Sequence, residues 1–195
     1  MPSPAHITKD AAKIRRMVGA HEPTIIIMQS YLWDIAAMAR NGLSEVDNPA
    51  RFNTSLWVNM ALEQVQLVRK VFPSTRILWR TVPEHNRRYS ENHVSGDKIQ
   101  AMNKAIHLAA STVDLEVLDF DAMVRAAWKQ WQSEQSTNNL SNDQLLQKTP
   151  PFYSDMLHPG PALSVAYVEL AMQIARDTAM ADNFGRSRFT MTPRL

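Results

Sequence analysis

The feature that most constrains the fold is Thr24-Ile25-Ile26-Ile27-Met28-Gln29, a continuous run introduced by Pro23 whose first four residues are β-branched. A strand with one wet face alternates apolar and polar residues; three isoleucines in succession suit a strand buried on both faces of a parallel sheet. Parallel strands cannot be joined by tight hairpins, so helices must intervene. Two more strand patterns follow, TRILWRT over 75–81 and LEVLDF over 115–120. Helical patterns surround them. Residues 8–20 place Ala12, Ile14, Met17 and Val18 at apolar positions and end near Gly19, and 31–40 read as a short helix. Residues 50–71 bury Leu56, Met60, Leu62, Val65 and Val68, with Pro49 in the first turn and Pro73 as the stop. Asp97 caps a helix through Ala110 that carries Ile99, Met102, Ile106 and Ala109 on one face. A further helix spans 122–131, and Gly160-Pro161 opens a last one with Leu163, Ala166, Tyr167, Leu170, Ala171 and Ile174 on its apolar face.

Strands alternating with helices predict an α/β fold, a parallel sheet covered on both faces in three α/β/α layers. Three strands are few for that architecture, so the sheet reads as incomplete. The 195 residues suit one domain, over 1–182, with 183–195 as a disordered tail. Residues 83–95 form a polar loop, and 132–157, rich in Ser, Asn, Gln and Pro, a long irregular one of the kind that carries function.

Composition removes whole classes of function. There are no cysteines, which excludes disulfides, thiol nucleophiles and thiolate metal sites. Five glycines, at 19, 42, 96, 160 and 185, cannot build a Walker A loop or a dinucleotide fingerprint, and this argues against a flavodoxin-like nucleotide binder. The 21 basic and 19 acidic residues leave a net charge of +2, spread along the chain, so nucleic acid is not an expected partner. No apolar run is long enough to span a bilayer, and the N-terminal segment lacks the apolar core of a secretory signal. Lys9, Lys13, Arg15 and Arg16 give that segment some transit-peptide character, but it reads as the first helix of the fold.

Ligands of open α/β sheets bind beyond the carboxyl ends of the strands. The sequence sets polar groups there: Ser30 to Asp34, Arg80 to His85, and Asp119 with Asp121. A fourth cluster, Asp155-Met156-Leu157-His158-Pro159-Gly160, precedes the last helix. An aspartate three residues before a histidine can fix the imidazole tautomer and leave the other nitrogen as a general base. The same pair also suits a capping aspartate beside a solvated histidine, and the spacing alone leaves both open.

Tyr153-Ser154-Asp155-Met156-Leu157-His158-Pro159-Gly160-Pro161, feeding an amphipathic helix, resembles the last block of SGNH/GDSL-type hydrolases, and most of all their PC-esterase branch. Residues 25–35 (IIIMQSYLWDI) are similar to that branch's strand followed by a Gly-Leu-Trp/His-Asp turn, and 78–83 (LWRTVP) to its Trp-Arg-Thr strand end. The three stretches occur in matching order over about 10–178. The resemblance implies acyl-ester chemistry without a cofactor, by hydrolysis or transfer, commonly on O-acylated glycans or cell-surface polymers. It implies His158 as general base and Asp155 as its orienting partner. It puts Tyr31 and Trp33 at the oxyanion positions, where the family has Gly and Asn or His. The family's first strand with its Gly-Asp-Ser turn has no counterpart before residue 24, so the resemblance implies a sheet lacking its N-terminal strand. The expectation is therefore a truncated hydrolase, with a catalytically inactive relative serving as a glycan- or protein-binding module as the alternative.

Other residues have competing roles. Arg80 either clamps a substrate oxygen or is a surface strand-end arginine. Asp34 is expected to brace the turn after the first strand. His85 and His93 fit no standard metal spacing, and no metal is expected. His107, inside a helix, reads as packing. Trp57 and Trp79 read as core, whereas Trp128 and Trp131 are the better candidates for an aromatic platform.

Overall fold

A computed structural model of the chain describes residues 4–19, 21–30, 34–35, 53–83, 96–136 and 160–188. Five helices and three strands occur among them: α1 (Pro4–Val18), β1 (Ile25–Met28), α2 (Thr54–Val71), β2 (Arg76–Arg80), α3 (Gly96–Ala110), β3 (Glu116–Leu118), α4 (Phe120–Ser136) and α5 (Pro161–Arg188). The strands form one parallel sheet in the order β1-β2-β3. Ile25 pairs with Arg76 and Met28 with Trp79; Leu78 pairs with Glu116 and Arg80 with Leu118. The fold is α/β.

Alternation along the strands sorts the layers. Ile77 and Trp79 of β2 enter a core with Trp57, Ala61, Val65 and Val68 of α2 and Ile99, Met102 and Ile106 of α3, with Ile26, Met28 and Val117 packed against it. The other face of β2 presents Arg76, Leu78 and Arg80. There Arg76 Nη1 donates to Thr178 Oγ1 of α5 at 2.6 Å, and the Arg80 guanidinium lies over Tyr167 of the same helix. A second cluster, Phe120, Val124, Trp131 and Leu163, joins α4 to α5. Helices thus meet the sheet from both sides, consistent with three layers.

Several boundaries differ from the sequence reading. The described part of α2 begins at Thr54, because the Asn53 side chain accepts from Leu56 N at 3.0 Å and caps the helix there. Its buried line is Trp57, Ala61, Gln64, Val65 and Val68; Leu56, Met60 and Leu62 are flanking and half-buried. α3 starts at Gly96, so Asp97 lies within its first turn. α4 starts at Phe120 and runs to Ser136, into the stretch expected to be irregular. α5 extends to Arg188, past the expected end near 182. A single helical glycine, Gly185, costs only about 1 kcal/mol, and no proline occurs between Pro161 and Pro193. α1 ends as expected at Gly19, which takes φ +69°. Its apolar residues do not face the core, however: Met17 is 77% exposed, and Ala12, Ile14 and Val18 are exposed too. Arg15 turns inward instead, donating to Val71 O at 2.6 Å and to Glu22 at 2.9 Å.

The amino end of the sheet is tied by charge. Arg76 Nε donates to Glu116 Oε1 at 2.6 Å, and its Nη2 pairs with Glu116 Oε2. The hydrogen bonds from Arg76 hold the Glu116 carboxyl below its ordinary value of 4.5, against a smaller opposing effect of desolvation. Glu22 is likewise lowered, first by Arg15. Carboxyls depressed in the folded state add stability above the ordinary glutamate range and lose it as pH falls through the folded value. The melting temperature should therefore fall on acidification below about pH 4.5, and Glu116→Gln should flatten that dependence. At pH 7 the substitution should cost less than about 1 kcal/mol, since both partners are over a third exposed or nearly so. Thermal melts across pH 3–7, taken as about the titrating range, check both expectations.

Candidate functional site

The carboxyl ends of the three strands gather polar groups with defined partners. After β1, Asp34 is 2% exposed and accepts from Trp57 Nε1 at 3.1 Å and from the Ser30 hydroxyl. The indole that donates is itself wholly buried and stands edge-on to Trp79, with centroids 6.0 Å apart. Asp34 therefore joins the end of β1 to the core under the sheet.

After β2 the chain is held at two successive residues, Thr81 and Val82. Thr81 N donates to Leu118 O at 3.0 Å, extending the β2–β3 ladder by one step. The fully buried Thr81 hydroxyl donates to Asp119 Oδ1 at 3.0 Å and accepts from Asp121 N at 2.9 Å. Asn103 of α3 then clamps Val82, accepting from its N at 3.2 Å and donating to its carbonyl at 2.8 Å. Asp119 Oδ1 also accepts from Ala122 N at 3.0 Å, which makes Asp119 the cap of α4. Thr81→Val keeps the shape but removes one donor and one acceptor from a dry site, so it should cost about 1–3 kcal/mol, measurable by urea unfolding.

Asp119 and Asp121 open onto a cavity of about 470 Å³ between α3 and α4, lined also by Asp97, Gln100, Lys104 and His107. His107 is not packed, as its helical position suggested: its side chain is 42% exposed and Nε2 lies 3.3 Å from Asp119 Oδ2. Asp121, 3% exposed, pairs with Arg125 Nη2 at 3.1 Å. The acid–histidine contact was missed because the two residues are distant in sequence and meet only when α3 packs beside β3. Among the described residues no group of three His, Cys, Asp or Glu side chains is arranged to hold a metal ion, and no helix is long and apolar enough to cross a membrane.

Arg80 ends the central strand. Its guanidinium carbon lies 5.0 Å from the Phe120 ring centroid and 4.7 Å from that of Tyr167. The two rings touch edge to face, centroids 5.2 Å apart, so the guanidinium sits in a corner of two aromatic rings. Cation–π attraction offsets part of its lost hydration. Among the described residues, Arg80 Nε is nonetheless buried without a hydrogen-bond partner. Tyr167 lies in the second turn of α5, whose first residue follows Gly160, and Leu163 of the first turn is buried against Phe120. The amino end of α5 is thereby set beside the carboxyl ends of β2 and β3.

Of the residues assigned a role at the site by the resemblance or as substrate clamp and brace, Asp34 and Arg80 have described positions, at the ends of β1 and β2. Tyr31, Trp33, Asp155 and His158 lie outside the described residues, as do His85 and His93. Trp131 is 9% exposed and tilted against Trp128, ring centroids 5.6 Å apart, within the α4–α5 cluster. It is a packing residue, not an open aromatic platform: the helix runs past it, turning it toward Phe120 and Leu163. Comparison with protein-family models and with curated proteins returns no match.

Proposed function

We propose that this chain supplies the general base and substrate-holding residues of an SGNH, PC-esterase-like hydrolase or O-acyltransferase acting on acyl esters, O-acetylated glycans among them. The observation that carries the reading is the meeting of β2, β3 and α5. The block with Asp155 and His158 is joined directly to Gly160, and α5 packs its first two turns against Phe120 and Arg80 at the carboxyl end of the sheet. Ligands of such sheets bind at that end.

In this reading a serine Oγ attacks the ester carbonyl while His158 takes its proton. Collapse of the tetrahedral adduct expels the alcohol, which leaves with that proton, and an acyl-serine remains. Water or an acceptor hydroxyl then repeats the sequence in reverse, and the serine recovers its proton from His158. Asp155 orients the imidazole. Tyr31 and Trp33 flank the developing oxyanion, and Arg80 faces the substrate. The serine is assigned to no position in this sequence.

Hydrolysis of p-nitrophenyl acetate by the folded protein, with His158→Ala beside it, tests the proposal. Turnover that depends on His158 supports it, and turnover indifferent to that substitution overturns it. Saturable glycan binding without turnover would instead identify a non-catalytic binding module.

A further inference from the structure

We infer that Arg80 is an oxyanion receptor, so that the substrate group held at the end of β2 carries a carboxylate or a phosphate. The inference deepens the acyl-ester reading by naming the charge of the substrate, and it rests on that reading only for the identity of the bound molecule.

Three observations carry it. First, Arg80 has no hydrogen bond or ion pair to any described residue, and its Nε is buried without a partner. A buried donor left unmade is costly, and an apolar side chain would fill an aromatic corner without that cost. A purely structural residue has no need of a guanidinium here. Second, the described carboxylates at this end of the sheet are already engaged. Asp119 accepts from Thr81 and Ala122 N and contacts His107, while Asp121 pairs with Arg125. Arg76, on the same face of β2, shows the contrasting arrangement, its fork filled by Glu116 and Thr178. Third, the Phe120 and Tyr167 rings hold the guanidinium from two sides, and Arg80 remains partly exposed at the sheet end where ligands dock. A guanidinium already fixed in place loses little freedom when an oxyanion arrives, and its fork fits two oxygens of one anionic group.

The Nε–H resonance of Arg80 reports on this directly by nitrogen-edited NMR, assigned by its loss in Arg80→Lys. Sodium acetate and inorganic phosphate serve as probes for the two oxyanions, with sodium chloride at matched ionic strength as control. The expected result is a saturable shift with acetate or phosphate, and the probe that saturates first names the group. Arg80→Lys, which keeps the charge and loses the fork, should weaken binding about tenfold or more as followed on the neighbouring amides. Tyr167→Leu keeps Arg80 and removes one ring; it should weaken binding too, and it decides the matter if Arg80→Lys does not fold. Shifts no larger than those with chloride, or unchanged affinity in either folded variant, would overturn the inference. Since the readout is binding, it stands or falls apart from aryl-acetate turnover: saturable binding in a protein without turnover would sink the esterase reading and leave the anion site.

Discussion

His158→Ala is expected to lower acetyl-ester turnover by about 10²–10⁴-fold, the range by which a positioned general base accelerates such chemistry. The substitution removes both the group that takes the nucleophile's proton and the group that returns one to the leaving alcohol. Its effect should fall mainly on kcat, because the imidazole acts on a proton in flight and contributes little to holding the substrate. Asp155→Asn keeps the size of the side chain but alters the hydrogen bond that fixes the tautomer, so it should also slow turnover, by a smaller factor than loss of the base. Circular dichroism and thermal melting of both variants should match the parent protein. Steady-state rates beside those melts separate a chemical role from a structural one.

Trp57→Ala should cost about 3–5 kcal/mol, the usual range for deleting a buried aromatic side chain. Three losses combine. The indole is wholly buried and packs edge-on against Trp79 of the central strand. It sits where α2 meets the sheet, in one core cluster with Val65, Ile77 and Ile99. Its Nε1–H is also one of the donors to the buried Asp34 carboxylate, which would lose that partner. A loss of that size is a large fraction of the stability of an ordinary domain. Trp57→Phe separates the contributions: it retains most of the packing and removes the donor, so it should cost less than the alanine. Urea denaturation of the two variants gives the comparison: the loss in Trp57→Phe reports mainly the hydrogen bond to Asp34, and equal losses would mean that the ring packing contributes nothing beyond it.

The strands were legible because β-branched runs and the RILWR stretch favour extended backbone, although β1, expected to be buried on both faces, is only half-buried from Ile25 to Met28 because it pairs with β2 alone among the described residues. All three lie within a residue or two of their expected places, and Pro73 and Gly19 end their helices as their backbone preferences require. The buried face of α2 was harder to read. Leu56 and Leu62 are as apolar as the residues that displaced them, and only the position of Asn53 as cap and of Trp79 opposite fixes the helix rotation. For α1 the hydrophobic pattern misled, since Arg15 reaches Val71 O and Glu22 while Met17 points to solvent.

The polar framework at the carboxyl end was only half visible. Asp119 and Asp121 stood out by their place after a strand. The roles of Thr81 and Asn103 did not, because each depends on a partner 20 to 40 residues away. His107 and Asp119 meet across α3 and β3, a juxtaposition no local pattern encodes. Tyr167 was read as one more apolar position of the last helix, and its contact with Arg80 appears only once α5 lies against the sheet.

The central claim is that the protein moves acyl groups through a serine. The most direct measurement is pre-steady-state release of p-nitrophenol from p-nitrophenyl acetate by the intact protein, with mass analysis of protein quenched during the burst. In protein that includes the serine block, the account predicts a burst approaching one equivalent per active site, an acetyl group on a serine in the quenched sample, and a much smaller burst rate in His158→Ala. Turnover with no acetyl-serine, or a burst that His158→Ala leaves untouched, would contradict it.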